Sequence, residues 1–317
     1  MNKNIKTNRL TEAALISGIL IVFAMVGTYL FPFIDFLYPL PVLLLAKRHD
    51  FKASIMALAS AGLIIFMVLG IQMGLYYVLL YSPMAGVMAY FISQDKKPAM
   101  AILWGGATYL VSFILLLMLM QVFLSINLVT YIRETFVESL RIQESILSNF
   151  GDMSDQLEAT RETYDSMIEM VIVLLPAMII FTSVAMSTIN YMVVQRMGKR
   201  LRVNILPLQD FSQFRLPANI SIGILVFVIG SYLAGALGIV NSQALLTNVV
   251  FIIQILFFLQ GLAVVKFMMI KYKINRLLRV LMFLVVIFNA MLNMGVMFLG
   301  FGDLLFDLRK IKNKNRW

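Results

Sequence analysis

Apolar residues gather into runs of about 17 to 25 positions separated by short polar stretches, the length a helix needs to cross about 30 Å of hydrocarbon at 1.5 Å per residue. The first run predicts a span from Thr11 to Phe31, closed by Phe31-Pro32 because proline removes a helix hydrogen bond and biases its predecessor away from helix. The next segment, Ile34 to Ala46, is short for a crossing and carries Pro39 and Pro41. It reads as a tilted or broken helix whose freed backbone groups face protein or a cavity rather than lipid. Further spans are expected at Ala53 to Gly70, Gly74 to Ile92 and Ala99 to Leu124.

Between Ser125 and Glu169 the pattern changes, with nine acidic residues against three arginines and apolar positions spaced four apart at Leu128, Ile132, Phe136 and Leu140. That spacing predicts an amphipathic helix rather than a span. Ser148 to Asp152 should break it, with Asp152 capping a second helix that runs through Leu157, Tyr164 and Met167 into a span at Met170 to Val194. Two more spans are expected at Ala218 to Ile239 and Leu245 to Lys266. The fold class is therefore all-α, a polytopic transmembrane bundle of about eight to ten segments with an extracytoplasmic helical hairpin. Three parts are expected: residues 1–124, the acidic hairpin 125–169, and a C-terminal bundle 170–317.

Composition excludes an ordinary soluble domain: 61% of residues are hydrophobic and 13% charged, against about half and a quarter in typical globular chains. The net charge of +10 does not indicate nucleic-acid binding, because Lys and Arg sit between the apolar runs, as the positive-inside bias requires. The basic stretches Lys47-Arg48-His49-Asp50-Phe51-Lys52, Lys96-Lys97 and Arg196 to Arg202 predict cytoplasmic loops, a cytoplasmic N-terminus and a bacterial-type cytoplasmic membrane. Lys3, Lys6 and Arg9 resemble a signal-peptide n-region, but no small-residue cleavage site follows, so Thr11 onward reads as a retained span. The stretch Leu206 to Pro217 is too apolar for free solution and too polar to span, which predicts an interfacial position.

Near the C-terminus, Lys271, Lys273, Arg276 and Arg279 and then Arg309, Lys310, Lys312, Lys314 and Arg316 all read as cytoplasmic. One span between them would break the charge rule, so a hairpin turning near Asn289 to Gly295 is expected, with a single span and an external tail as the alternative. Asn289 and Asn293 share a helix face, either bonding across helices or forming that turn. Asp303 and Asp307 also share a face beside Arg309, which raises a proton relay or a metal. The competing reading is an amphipathic terminal helix with snorkelling charges.

Leu10 to Gly18, Phe33-Ile34-Asp35-Phe36, Leu40-Pro41-Val42-Leu43-Leu44-Leu45 and Ala53 to Gly62 together resemble the opening of substrate-binding S components of energy-coupling factor transporters. The whole chain resembles the YybS-like family of uncharacterised bacterial membrane proteins, a domain of unknown function thought to be distantly related to those components. Phe214-Arg215-Leu216-Pro217 and Gly302-Asp303-Leu304-Leu305-Phe306-Asp307-Leu308-Arg309 carry that likeness. The likeness to S components implies a lipid-embedded, non-enzymatic, transport-associated component that binds a small molecule or a membrane partner, and the family likeness adds architecture more than function. The likeness to S components also implies that a coupling protein and ATPase subunits come from other chains.

In S components the first helices meet the coupling protein through small residues, and Ala14 and Gly18 form such a pair here, open equally to ordinary internal packing. Gln72, Tyr76, Tyr77 and Tyr81 fall in the outer half of the fourth span, where such a pocket would open. Tyrosine also serves interfacial belts and cores. Asp35 is a candidate ligand contact because an ionisable group near the bilayer is costly, although a solvated outer turn would explain it as well. Trp104 reads as an anchor.

Neither a thiol nor a histidine cluster is available, with no cysteine and only His49. No phosphate-binding glycine loop or Ser/His/Asp set occurs, so no cofactor, metal or catalytic role is expected. A different class of function is an assembly or signalling scaffold recruiting partners through the acidic hairpin and through Phe214 and Arg215 of the interfacial loop. A secondary transporter would need paired broken helices, and only the Ile34 to Ala46 segment is broken.

Overall fold

The computed structural model describes residues 3–147, 154–217, 219–238 and 241–310. These residues form eleven α-helices and no strand: α1 (Lys3–Tyr29), α2 (Leu40–Arg48), α3 (Phe51–Leu75), α4 (Ser82–Ser93), α5 (Pro98–Leu124), α6 (Leu128–Leu147), α7 (Ser154–Arg200), α8 (Ile220–Ala236), α9 (Ser242–Lys271), α10 (Arg276–Phe288) and α11 (Ala290–Phe306). The expected all-α membrane bundle is the fold. Among the described residues, Asn8–Tyr29, Phe51–Ser93, Pro98–Leu124, Thr163–Arg200 and Ser242–Lys271 are long and apolar enough to cross a membrane.

The 43 residues of Phe51–Ser93 are two crossings rather than one. At Gly70 the backbone takes φ 81° and ψ 178°, a conformation open to glycine without penalty. A Cβ on Gly62 would lie 2.8 Å from Val78, one on Gly74 2.2 Å from Phe66, and one on Gly86 3.4 Å from Ile55. Such pairs meet only if residues 51–69 and 71–93 run antiparallel, which matches the two spans read from sequence. α2, with nine residues, is too short to cross. Its residues 40–46 are buried, as expected for a broken segment facing protein.

The chain forms two compact units, Met1–Glu169 with Met178–Leu208, and Met170–Ala177 with Gln209–Trp317. This differs from a division at 124 and 169, because the hairpin and the second half of α7 belong with the N-terminal unit. Gly105 and Gly106 let α5 approach Ser187, Ser183 and Val184 of α7 within van der Waals distance, and Ser187 Oγ donates to the Ile102 carbonyl at 2.8 Å. Small residues permit such close packing where lipid offers no hydrophobic drive. At one end of this unit Glu12 accepts from Arg48 and His49, Arg9 pairs with Asp50, and Lys47 pairs with Asp95. The start of α1 and the α2–α3 and α4–α5 turns are thereby gathered together.

α6 packs the face expected from its spacing: Leu128, Ile132 and Phe136 are half-buried and Leu140 buried. Arg133 bonds Glu169 and Tyr164 bonds Gln143, so α6 and the first part of α7 form the antiparallel hairpin. The expected break at Ser148 to Asp152 lies outside the described residues, as do Lys312, Lys314 and Arg316. α7 then continues unbroken into the membrane segment with Pro176 inside it.

In the second unit the Asn248 side chain of α9 enters the α7 ladder beside this proline. Its Oδ1 accepts from Ala177 N at 2.9 Å, and its Nδ2 donates to Val173 O at 2.6 Å. These are the two groups that would otherwise bond each other within α7.

α10 and α11 meet at Asn289 with a 104° bend, so the expected turn is present but is a corner rather than a full hairpin. Asn289 caps α11 by accepting from Leu292 N at 3.1 Å, and Asn293 Nδ2 donates back to Ile287 O. The two asparagines therefore build the corner. α11 lies directly on α9 through Gly261 and Gly300.

Candidate functional site

The N-terminal unit brings Asp35, Tyr76, Tyr77 and Tyr81 together. After α1, Pro32–Leu37 forms a 3₁₀ turn that carries Asp35 inward. Tyr76–Tyr81 is a π-helical turn. Pro83 lacks the N–H that would bond four residues back, and the ladder widens just before it, Ser82 N bonding Tyr77 O. π turns recur at functional sites. The wider turn puts Tyr76 and Tyr81, five residues apart, in hydroxyl contact at 3.2 Å.

Asp35 is 6% exposed, which overturns the solvated-loop reading. Tyr77 Oη lies 2.6 Å from its Oδ1 and Tyr76 Oη donates to Oδ2 at 3.3 Å. Tyr77 Oη is also 3.1 Å from the Ala24 carbonyl. A phenol has one proton, so Tyr77 can donate to Asp35 Oδ1 or to the Ala24 carbonyl but not to both at once. Tyr77 and Tyr81 are fully buried rather than part of a lipid-facing belt.

Tyr38 packs against both rings, at 5.2 and 5.9 Å between centroids, and Tyr109 meets Tyr81 at 5.9 Å. The Tyr38 hydroxyl faces Ser82 but is buried without a well-formed hydrogen bond. Gly27 makes room for the cluster, since a Cβ there would sit 1.7 Å from Asp35 Oδ1. Sequence reasoning missed Gly27, Tyr38 and Tyr109. Gln72 is exposed and takes no part in the hydrogen bonds of the cluster.

Burial raises the Asp35 carboxyl above its usual range, against the opposing hydrogen bonds from Tyr77 and Tyr76. A carboxyl raised on folding contributes stability that is complete below the unfolded value, about 3.9, and is lost as pH rises through the folded value. The Asp35 contribution to the thermal midpoint should therefore shrink as pH rises from about 4, and Asp35→Asn should remove that part of the slope. Identical slopes in the two proteins, read by thermal unfolding across pH, would contradict the assignment.

The two stretches that carry the family likeness meet in the second unit. Arg309 Nη2 donates to Asp303 Oδ2 at 2.7 Å, Nη1 to Ser212 O at 2.7 Å and Nη2 also to Phe214 O at 2.8 Å. Gln260 Nε2 adds a bond to Asp303 at 3.0 Å, and its Oε1 accepts from Leu216 N at 2.9 Å. Both charged side chains are essentially inaccessible, so the snorkelling reading of Asp303 and Arg309 is overturned. Asp307 instead pairs with Arg215 at 2.6 Å, and Phe214 stacks on Phe211.

Burial works against the charge of Asp210, but Ser212 and Lys266 hold its carboxyl below the usual range. The loop before α8 is thus fastened to α9 and to the end of α11. No group of three or more metal-ligating side chains occurs among the described residues. Ala14 and Gly18 are exposed on α1, and nothing lies within 4 Å of a Cβ added at Gly18. They are not buried packing residues within this chain.

No solved structure matches the chain. It is 26% identical over 301 residues to the uncharacterized protein YybS of Bacillus subtilis (strain 168), covering 94% of each chain. The model of a family described as predicted membrane protein (DUF2232) matches residues 16–304, a range that takes in the Asp35 cluster and ends just past Asp303. The chain therefore belongs to this DUF2232 family of predicted membrane proteins.

Proposed function

We propose that the protein is a non-enzymatic, small-molecule-binding component of the bacterial cytoplasmic membrane, and that Asp35 with its tyrosines receives a small cationic group. One observation carries this reading. Asp35 is buried, yet among the described residues it makes no ion pair. A buried carboxylate is costly without a counter-charge, so the acid holds either a proton or a cation. Aromatic rings packed around it favour an ammonium group.

The likeness of the N-terminal third to S components supports a binding role, with energy coupling supplied by a coupling protein and ATPase subunits on other chains. Basic residues gathered at the start of α1 and at the α2–α3 and α4–α5 turns support a cytoplasmic N-terminus. The 3₁₀ turn, preceded by the exposed Phe31 and itself carrying the exposed Phe33 and Phe36, is the element that would lift to admit a ligand.

The test is a thermal-shift and native mass spectrometry screen with tetraethylammonium, a primary alkylamine and a neutral alcohol of matching size. Amine affinity should rise with pH by up to about tenfold per unit while a proton is displaced from Asp35, and Asp35→Asn should abolish it. A pH-independent affinity, an equal response to the alcohol, or full binding by Asp35→Asn would overturn the proposal.

A further inference from the structure

The second unit holds a site separate from Asp35. A pocket of about 410 Å³ falls within the range, roughly 300–1,000 Å³, of small-molecule sites. Its walls are apolar, among them Ile224, Ile253, Phe257 and Leu304, and Arg215 and Ser221 are its polar residues. Arg215 spends one hydrogen bond, through Nη1, on Asp307. Among the described residues its other N–H groups carry no bond, which leaves an edge of the guanidinium for a further acceptor.

Ser221 stands in the first turn of α8, whose N-cap Asn219 provides no side-chain cap. The positive end of that 17-residue helix therefore lies beside Arg215 and favours an anion. The loop that carries Arg215 is held on both sides, by Arg309 at Ser212 and Phe214 and by Gln260 at Leu216. The polar end of the pocket is thus built before any ligand arrives, which lowers the cost of binding.

We propose that this pocket binds a glycerophospholipid of the surrounding membrane with an anionic phosphate headgroup. The phosphate meets Arg215 and the Ser221 hydroxyl, and one acyl chain lies between Ile224, Ile253, Phe257 and Leu304. Charge selects the anionic class. Arg215 is the charged residue among those lining the pocket, and no acidic residue lines it to receive a headgroup's own quaternary ammonium, so a headgroup of net negative charge is favoured over a zwitterionic one.

The experiment is native mass spectrometry of the full chain titrated with phosphatidylglycerol and phosphatidylcholine of identical acyl chains. The wild type should retain phosphatidylglycerol at least about tenfold more tightly, with one molecule bound. Arg215→Gln should erase the preference. Because that substitution also removes the Asp307 pair, Ile253→Trp, which fills the pocket and leaves Arg215 in place, serves as the second variant and should weaken phosphatidylglycerol retention about tenfold. Equal retention of the two lipids by the wild type, or wild-type retention by Ile253→Trp, would overturn the proposal.

Discussion

Replacing Arg309 with alanine is expected to cost the second unit about 3–5 kcal/mol, the range for removing one partner of a buried ion pair. Asp303, fully buried, would keep only the Gln260 side chain and the residue 309 amide as donors. The carbonyls of Ser212 and Phe214 would lose their guanidinium partner at the same time. Asp303→Ala should cost a similar amount, because it strands the guanidinium instead. The double replacement Asp303→Leu with Arg309→Met should cost clearly less than the two single losses summed, since no bare charge remains. The fraction of detergent-solubilised protein that elutes as monodisperse after heating reads all three. A wild-type melting profile for Arg309→Ala would show that the pair is dispensable.

The second large effect is expected where α9 and α11 cross. A Cβ on Gly261 would lie 1.8 Å from the Val296 carbonyl oxygen, and one on Gly300 would lie 2.0 Å from that of Phe257 and 2.6 Å from Gly261 N. Backbone atoms cannot rotate aside as a side chain can, so even a methyl group must push the helices apart. Gly261→Ala and Gly300→Ala should each cost at least about 1–3 kcal/mol through overpacking. Gly295→Ala is the matched control on α11, because its Cβ meets nothing within 4 Å, and it should be neutral or stabilising by up to about 1 kcal/mol through helix propensity. Thermal midpoints of the three variants check this, and equal losses at Gly295 and Gly300 would contradict the close crossing.

Much of this architecture is legible in the residue pattern. The face of α6 stands out because its apolar positions recur every four residues on a polar background. The turn at Gly70 ends a span of the right length at a residue suited to positive φ. The Asp35 cluster was only half visible. A tyrosine in an apolar run reads the same whether it faces lipid or core, so Tyr38 and Tyr109 gave no sign, and Gly27 matters only through a residue brought back by the 3₁₀ turn.

The Asp303–Arg309 pair was misread for a related reason. Its two residues look like charges on a terminal helix face. They meet because Asp307, at φ 48°, ends α11 in the left-handed region and turns Arg309 back toward Asp303. The carbonyls that complete the network lie 95 and 97 residues earlier, beyond the reach of local periodicity.

The position of Asn248 has a mechanical consequence for α7. At 47 residues and 1.5 Å per residue the helix is about 70 Å long, more than twice the hydrocarbon thickness, and elsewhere it would transmit a push or a twist as a stiff rod. At Pro176 it does not own its hydrogen bonds, because Ala177 and Val173 are bridged by a side chain from α9. Drawing α9 away would release both groups at once and leave Ala177 N free to bond Val173 O, so α7 would close its own ladder there, and returning α9 would open it again. A single asparagine amide of α9 is thus a rung of the α7 ladder, supplied by another helix.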